Sequence, residues 1–281
     1  MAGLLKPRDG IVLLIADIDG TLITPEKTLT ANAKAAVRRL SEAGIGFTVV
    51  SSRPPRGMEK LIEALNIKLP FVAFNGGALL RPDFSIIQSH HLSAQAADTM
   101  LELLTRRHVD AWVFAEGDWR LRDPNNRYVA NHRRTVGFDP VIVRGFDDVI
   151  DRIDKIVGVS DNAARLAEVE VEARALLRGQ ATIDLSQARY LDVTHPEANK
   201  GRAAQALCVM LGVDQRQLAV IGDMMNDIAM FEVAGLAIAM GQAPDAVKAR
   251  ADAVARPNTE DGFADAIERF ILPRAVKQLV S

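Results

Sequence analysis

Uninterrupted hydrophobic runs alternate with amphipathic segments in the first part of the chain. The runs at residues 11–16, 46–50 and 71–74 show no polar alternation, which is typical of strands buried on both faces. Between them the pattern predicts a helix that begins after Thr30 and ends at Ala43, and a second helix over residues 59–65. Each run ends in polar or glycine residues. This repetition predicts an α/β fold with a doubly wound, Rossmann-like parallel sheet.

The pattern changes in the middle of the chain. An amphipathic segment at residues 93–107 predicts a helix, and Glu116-Gly117-Asp118 is typical of a hairpin turn between two strands. Further strands are predicted at 153–159, 181–185 and 190–194, with a long helix at 161–177. We therefore predict an inserted α+β domain at residues 87–188 and a discontinuous α/β domain made of residues 1–86 and 189–281.

The α/β pattern returns in the last third. The sequence there predicts a helix at 199–211, buried strands at 218–221 and 236–239, an edge strand at 253–254 and a closing helix at 262–271.

Composition and charge exclude several classes of protein. The 281 residues suffice for two domains, and 48% hydrophobic with 25% charged residues is typical of globular proteins. A net charge of -2 argues against nucleic-acid and membrane-surface binding, and the single cysteine, Cys208, excludes an internal disulfide. No apolar stretch has the length of a membrane span, and the N-terminus does not resemble a signal peptide. We expect a cytoplasmic protein, of open oligomeric state.

Acidic residues follow two of the predicted core strands. Asp17 and Asp19 come directly after the first strand, and capping of a turn accounts for this pair as well as a metal site does. Asp223 and Asp227 follow the strand at 218–221 in the same way. The carboxyl ends of parallel strands share one edge of a sheet, so the two clusters can converge there. Capping explains two such clusters poorly, whereas a Mg²⁺ ion would relieve their repulsion.

Other polar residues at strand ends indicate an anion site. Lys200 begins a predicted helix, where the helix dipole disfavours a cation but attracts a phosphate. Ser51, Asn75 and Asn226 supply neutral hydrogen-bond donors at three other strand ends. Carboxylates, a lysine and such donors together suit a Mg²⁺-assisted reaction on a phosphoryl group.

These residues resemble the four motifs of the haloacid dehalogenase (HAD) superfamily of phosphohydrolases. The motifs are Asp17-Ile18-Asp19-Gly20-Thr21, Ser51, Lys200 and the segment from Gly222 to Asp227, and they occur in the family's order. The insertion between the second and third motifs resembles the large cap of the Cof-like (HAD-IIB) subgroup, which also has an Asn-Gly turn like Asn75-Gly76. Two departures are Ser51-Ser52-Arg53 in place of Thr-Gly-Arg and Ile18 in place of Leu, Met or Phe.

The resemblance implies a role for each motif residue. Asp17 is the expected nucleophile and Asp19 the general acid and base. Mg²⁺ is expected on Asp17, the backbone carbonyl of Asp19 and Asp223, while Asp227 either touches the metal's shell or orients Lys200. The phosphoryl oxygens are expected on Ser51 and Lys200, with help from Asn75 or Asn226.

The implied function is a Mg²⁺-dependent phosphatase with an aspartyl-phosphate intermediate. A small phosphorylated metabolite, such as a sugar phosphate or a phosphorylated cofactor, is the expected substrate, because a large cap leaves little room for a polymer. Phosphotransfer to a sugar, of the phosphomannomutase type, is one alternative. A non-enzymatic sensor of phosphate and Mg²⁺ is another, although the chain retains Asp17, Asp19 and Lys200. A nicotinamide-binding fold is disfavoured because no Gly-x-Gly-x-x-Gly follows a strand.

Several further residues have weaker predicted roles. We expect Arg53 to form a structural ion pair, and His90 and His91 to lie on the surface. His195 is expected to face solvent or to be structural, with contact to substrate as the alternative. Trp112 and Trp119 are expected to anchor the cap's packing. The cap residues expected to face the substrate are Asp118, Trp119 and Arg189.

Overall fold

The computed structural model describes residues 10–276. The strands are β1 (Leu13–Ala16), β2 (Gly46–Val49), β3 (Phe71–Ala73), β4 (Ala78–Leu80), β5 (Ile86–Ser89), β6 (Asp110–Ala115), β7 (Asp118–Leu121), β8 (Val141–Ile142), β9 (Ile153–Val159), β10 (Thr182–Gln187), β11 (Tyr190–Thr194), β12 (Leu218–Gly222), β13 (Leu236–Ala239) and β14 (Ala253–Val254). The α-helices are α1 (Ala31–Glu42), α2 (Glu59–Ala64), α3 (Ala94–Arg106), α4 (Val129–Val136), α5 (Ala163–Leu176), α6 (Lys200–Leu211), α7 (Ile228–Phe231), α8 (Asp245–Lys248) and α9 (Gly262–Ala266).

The core sheet has five parallel strands in the order β14-β13-β12-β1-β2. In the centre, Ile15 of β1 is in register with Val220 of β12 on one side and with Thr48 of β2 on the other. All residues of β1, β12 and β13 are buried, as expected for strands covered on both faces. The predicted doubly wound parallel sheet is confirmed, and its order places the carboxyl ends of β1 and β12 side by side.

The third predicted strand does not extend this sheet in full. β3 joins β2 through a single parallel bridge between Val50 and Val72, and it pairs along its length with β4 in an antiparallel sheet that also contains β5. The chain reverses between β3 and β4 at Asn75 and Gly76, which both have positive φ angles. A side chain on Gly76 would lie 2.6 Å from the backbone nitrogen of Asn199, so this turn requires glycine.

A second sheet forms the cap, with six strands in the order β10-β11-β9-β6-β7-β8. Neighbouring strands are antiparallel except β7 and β8. One face packs on α3 and α5, while Trp112, Phe114 and Trp119 pack in the same hydrophobic cluster as residues of the core. Trp112 and Trp119 are 1% and 0% exposed, which fits their predicted role as packing anchors.

Helix α4 and strand β8 lie between β7 and β9 and were not predicted. Residues 131–135 of α4 are polar, β8 is an exposed Val-Ile pair, and of α4 only Val136 is buried. The segment packs on the core loop that follows β2: a side chain on Gly57 would lie 3.0 Å from the carbonyl oxygen of Val136. The guanidinium of Arg56 lies 4.5 Å from the ring centre of Phe138. This contact brings α4 to the carboxyl edge of the core sheet.

The division into residues 1–86, 87–188 and 189–281 remains a proposal. The strand pairing favours slightly later boundaries between the core and the cap, near residues 90 and 195. β5 pairs with β4 of the core, whereas β11 pairs with β9 and β10 of the cap. Among the helices of residues 10–276, none is long and apolar enough to cross a membrane.

Candidate active site

The two predicted acidic clusters meet at the carboxyl ends of β1 and β12. Asp17 follows β1 directly, and its backbone nitrogen donates to the carbonyl of Ile221 at 3.0 Å. Asp223 follows β12. Gly20 has a positive φ of 87° and lies against the Asp223 carboxylate. A side chain on Gly20 would come within 2.2 Å of Asp223 Oδ2. The first motif therefore needs glycine at this position so that its backbone can approach the second cluster.

Lys200 joins the two clusters from the start of α6. The Asn199 side chain caps this helix by accepting from the backbone nitrogens of Gly201 and Arg202. Lys200 Nζ then lies 2.6 Å from Asp17 Oδ1 and 2.6 Å from Asp227 Oδ1, with the lysine 2% exposed. Burial opposes its charge, but the two carboxylates raise the pKa of Lys200 above its usual range. Lys200 is therefore a fixed, charged group beside Asp17.

Asp227 is fully buried, and both of its oxygens accept hydrogen bonds. Oδ1 accepts from Lys200, while Oδ2 accepts from the backbone nitrogens of Asp223 at 2.8 Å and Met224 at 2.9 Å. Of the two roles expected for Asp227, this arrangement favours orienting Lys200 and the loop that carries Asp223.

Three buried carboxylates, from Asp17, Asp223 and Asp227, form a group that could hold a metal ion. One oxygen of each lies within 4.8 Å of the others. Burial, with repulsion from Asp227, raises the pKa of Asp223 to about 7, and burial also raises the pKa of Asp17. Such an all-oxygen, negatively charged donor set fits a hard divalent cation. Since Asp227 has both oxygens occupied by N–H donors, Asp17 and Asp223 have the most capacity for a metal.

Asp19 lies in the same cleft but pairs with two cations. Arg53 donates from Nε to Oδ2 at 2.6 Å and from Nη2 to Oδ1 at 2.8 Å, and Lys27 Nζ lies 2.6 Å from Oδ1. Burial raises the pKa of Asp19, but these cations outweigh it and hold that pKa well below its usual range. The predicted ion pair of Arg53 is thus present, and its partner is the predicted acid–base residue.

The predicted phosphate-binding residues lie at different depths. Asn226 faces the cleft, and its Nδ2 donates to Asn75 Oδ1 at 3.1 Å. The Oδ1 atom of Asn226 is buried without a hydrogen-bond partner among residues 10–276. Asn75 is 4% exposed, and Ser51 is fully buried with its Oγ accepting from the backbone nitrogen of Arg53 at 3.2 Å. Asn75 and Ser51 support the wall of the cleft but are not among the residues that line it.

A cavity of about 500 Å³ lies between the core and the cap. From the core, Asp17, Asp19, Lys200, Asp223 and Asn226 line it, together with Lys27 and Arg53. From the cap it is lined by residues that include Phe114, His132, Lys155, Val157, Tyr190 and Asp192. No local motif marks these cap residues in the sequence, since they come from four separate elements.

The cap residues expected to face the substrate lie elsewhere. Trp119 is fully buried, Asp118 lies 3.8 Å from Arg120, and Arg189 packs over the ring of Tyr128. None of the three is among the residues that line the cavity, although Trp119 packs against His132, which does, and their contact with substrate stays a prediction.

Three histidines near the boundaries between core and cap, His90, His91 and His195, are also not among the residues that line the cavity. His195 stacks on His90 with ring centres 4.8 Å apart, and His91 Nδ1 lies 3.0 Å from Asp154 Oδ1.

Comparisons with known proteins show which family the chain resembles. The family described as haloacid dehalogenase-like hydrolase matches residues 14–267. A Haemophilus influenzae protein, provisionally named as a phosphatase, is 30% identical over 259 residues, covering 91% of this chain and 96% of its own. A Bacillus subtilis 5-amino-6-(5-phospho-D-ribitylamino)uracil phosphatase is 25% identical over 264 residues, covering 93% and 96%.

Comparison with solved structures finds the same family. The crystal structure of a haloacid dehalogenase-like hydrolase from Bacteroides thetaiotaomicron superposes with a TM-score of 0.83 at 25% identity, covering 92% of this chain and 99% of that one. The resemblance that the four motifs indicated is confirmed. The chain therefore belongs to the haloacid dehalogenase-like hydrolases and carries a separate cap sheet.

Proposed function

We propose that this protein is a Mg²⁺-dependent phosphatase that hydrolyses a small phosphorylated metabolite, a sugar phosphate or a phosphorylated cofactor, through an aspartyl-phosphate on Asp17. The observation that carries the proposal is the contact of Lys200 with Asp17 at 2.6 Å, in a cavity that Asp19 and Asp223 also line. The Bacillus subtilis relative, named for a phosphorylated ribitylamino-uracil, supports a small substrate.

In the first step, a carboxylate oxygen of Asp17 forms a bond to phosphorus and the bond to the leaving oxygen breaks. Asp19 gives its proton to that oxygen, so the leaving group departs as a neutral alcohol. Lys200 fixes the direction of the Asp17 carboxylate and offers an ammonium beside the phosphoryl oxygens. When Mg²⁺ is bound by Asp17 and Asp223, it reduces the repulsion between the carboxylate and the phosphate dianion.

In the second step, a water oxygen forms a bond to the phosphorus of the aspartyl-phosphate, the bond from phosphorus to the Asp17 oxygen breaks, and inorganic phosphate and a free Asp17 carboxylate result. The ionised Asp19 carboxylate takes a proton from this water and so becomes protonated again, which is the form that the first step needs. The ion pairs with Arg53 and Lys27 keep Asp19 ionised, which is the form that the second step needs. The first step needs the protonated form, so we expect substrate binding to weaken these ion pairs.

The cap supports the choice of a small substrate. Its lining residues enclose the cavity opposite Asp17, and a volume of about 500 Å³ lies within the range of small-molecule sites.

Acid quenching during the first turnovers tests this proposal. With Mg²⁺ and a phosphate monoester, mass spectrometry should find one phosphoryl group on the peptide that contains Asp17. The peptide should carry no phosphoryl group in Asp17→Asn. A phosphoryl group on another residue, or turnover by Asp17→Asn at the wild-type rate, would contradict the proposal.

A further inference from the structure

The loop that follows β13 lies beside the two acidic clusters. The backbone nitrogen of Met240 donates to the carbonyl of Gly222, at the end of β12, at 3.0 Å. The backbone nitrogen of Gly241 donates to the carbonyl of Arg256 at 3.2 Å. These two bonds fix the backbone that leads into Gln242, which is one of the exposed residues that line the cavity.

The side-chain amide of Gln242 has one orientation, because its two backbone partners differ in kind. The backbone nitrogen of Asn258, which can only donate, lies 3.0 Å from Gln242 Oε1. The carbonyl oxygen of Gly20, which can only accept, lies 2.6 Å from Gln242 Nε2. Asn258 is itself tied to the segment after β1, since its Nδ2 donates to the carbonyl of Ile23 at 2.9 Å. Gln242 therefore links the loop after β13 to the first motif.

The same amide acts on Asp223. Gly20 lies against the Asp223 carboxylate, so two groups that can only accept hydrogen bonds lie side by side here. Thr21 Oγ1 donates to Asp223 Oδ1 at 3.3 Å. Burial raises the pKa of Asp223, and hydrogen bonds from Thr21 and from Gln242 oppose this rise. Side-chain donors from the first motif and from the loop after β13 therefore both hold the carboxylate.

We propose that Gln242 is a positioning residue for the divalent cation, whose amide fixes the Gly20 carbonyl and the Asp223 carboxylate relative to each other and so keeps the metal ligands aligned. The proposal rests on the phosphatase function proposed above, since that function requires the cation. Gln242 acts through Asp223 and the first motif and is not itself a metal ligand. Groups that form hydrogen bonds with metal ligands orient them, and their loss weakens metal binding about 10–100-fold.

The exposure of Gln242 separates this role from a purely structural one. Hydrogen bonds of an exposed side chain contribute little to folding, because water can replace the lost partners. Water that took the place of the amide would lack its fixed direction, since Asn258 orients the amide but would not orient a water molecule in the same way. Removal of the amide should therefore weaken metal binding much more than it weakens the fold.

Binding of Mn²⁺ alone tests the inference without substrate or turnover, because Mn²⁺ prefers the same oxygen ligands as Mg²⁺. The variant Gln242→Met keeps an unbranched side chain but has no N–H donor. In a titration of the metal-free protein followed by electron paramagnetic resonance, we expect Kd for Mn²⁺ to rise about 10–100-fold. The matched control is Gln95→Met, which changes an exposed glutamine on α3 outside the cavity lining and should bind like the wild type. Equal Kd values for Gln242→Met and the wild type would overturn the inference.

Urea unfolding with and without Mn²⁺ separates weaker metal binding from a damaged fold. Without metal, the unfolding midpoint of Gln242→Met should stay close to that of the wild type. At a Mn²⁺ concentration between the two Kd values, the midpoint of the wild type should rise clearly and that of the variant only slightly, because a bound ligand stabilises the folded state. A midpoint that falls as far without metal as with it would mark Gln242 as structural only and overturn the inference.

Phosphate release as a function of Mg²⁺ concentration gives a second readout. In Gln242→Met, the Mg²⁺ concentration at half-maximal rate should rise about tenfold or more, and excess Mg²⁺ should restore kcat. A loss of kcat that excess Mg²⁺ did not restore would contradict the inference. If the wild type releases no phosphate from any ester, the proposed function fails, but the Mn²⁺ titration still decides the role of Gln242. Weaker Mn²⁺ binding by the variant would then support that role, whereas no binding to the wild type would overturn it.

Discussion

Replacing Lys200 with methionine isolates the role of its charge. The substitution keeps an unbranched side chain but removes the ammonium that lies 2.6 Å from both Asp17 and Asp227. Lys200 is 2% exposed and Asp227 is 0% exposed, so solvent cannot replace the lost partner. Removal of one partner from a buried ion pair costs about 3–5 kcal/mol. We therefore expect the free energy of unfolding of Lys200→Met to be about 3–5 kcal/mol below that of the wild type, at pH 8 without metal.

The loss should depend on pH and on the second carboxylate. Asp17 already has a raised pKa, and removing the ammonium raises it further, so at acidic pH this carboxyl becomes neutral in the folded protein. The penalty should therefore be smaller at pH 5 than at pH 8. The double variant Lys200→Met/Asp227→Asn should recover part of the loss, because it removes one of the two unpaired charges.

Urea unfolding followed by far-UV circular dichroism measures these differences. Lys34→Met is the matched control, since Lys34 is exposed on α1 and its replacement should change the free energy of unfolding by less than about 0.5 kcal/mol. The reasoning would be refuted if Lys200→Met were as stable as Lys34→Met at pH 8. A loss that was the same at pH 5 and pH 8 would also contradict it.

Three further substitutions test other parts of the site. Because the pKa of Asp223 is raised to about 7, the metal-free protein should lose stability as the pH rises from about 4 to 7. Asp223→Asn should remove this loss. In urea unfolding, the variant should gain at most about 4 kcal/mol of unfolding free energy at pH 8 and little at pH 4. Lys27→Met removes a cation from Asp19 and raises its pKa, so the basic limb of the kcat/KM profile should move to higher pH; a shift to lower pH would refute this role. Gly20→Ala should abolish activity by displacing Asp223. The control Gly117→Ala has a similar positive φ but open space around it, and it should stay active. Equal activity of the two variants would show that the close approach of Gly20 to Asp223 is unimportant.

The core of the fold could be predicted because its strands are buried on both faces. The strands β1, β12 and β13 are short, continuous hydrophobic runs, and such runs are typical of parallel strands covered on both faces. The polar residues at their ends then indicated the site. Asp17 and Asp223 meet there because β1 and β12 are parallel neighbours, and Lys200 reaches Asp17 from the start of α6.

The elements that escaped prediction depend on tertiary contacts. β4 has three residues and β5 has four, so neither gives a hydrophobic run or an alternation long enough to predict a strand. Helix α4 has one buried residue, Val136, and forms where the chain packs on the loop around Gly57. Local sequence does not specify such elements, since their stability comes from packing against distant segments.

The cap side of the site was missed for the same reason. His132, Lys155 and Asp192 lie in different elements and carry no mutual spacing that a motif could reveal. Only the order of the cap sheet places β9 and β11 side by side, so that Lys155 and Asp192 can pair. Arg53 shows the opposite case, because its ion pair was predicted but its partner, Asp19, was not.

The central claim is that Asp17 is the nucleophile of a metal-dependent phosphatase. Phosphate release from a panel of phosphorylated metabolites, measured with Mg²⁺ and with chelator, compares the wild type with Asp17→Asn and with Asp98→Asn, an exposed aspartate on α3. We predict release that requires Mg²⁺, a loss of more than about a thousandfold in Asp17→Asn, and wild-type rates in Asp98→Asn. Undiminished release by Asp17→Asn, or equal release with chelator, would contradict the claim.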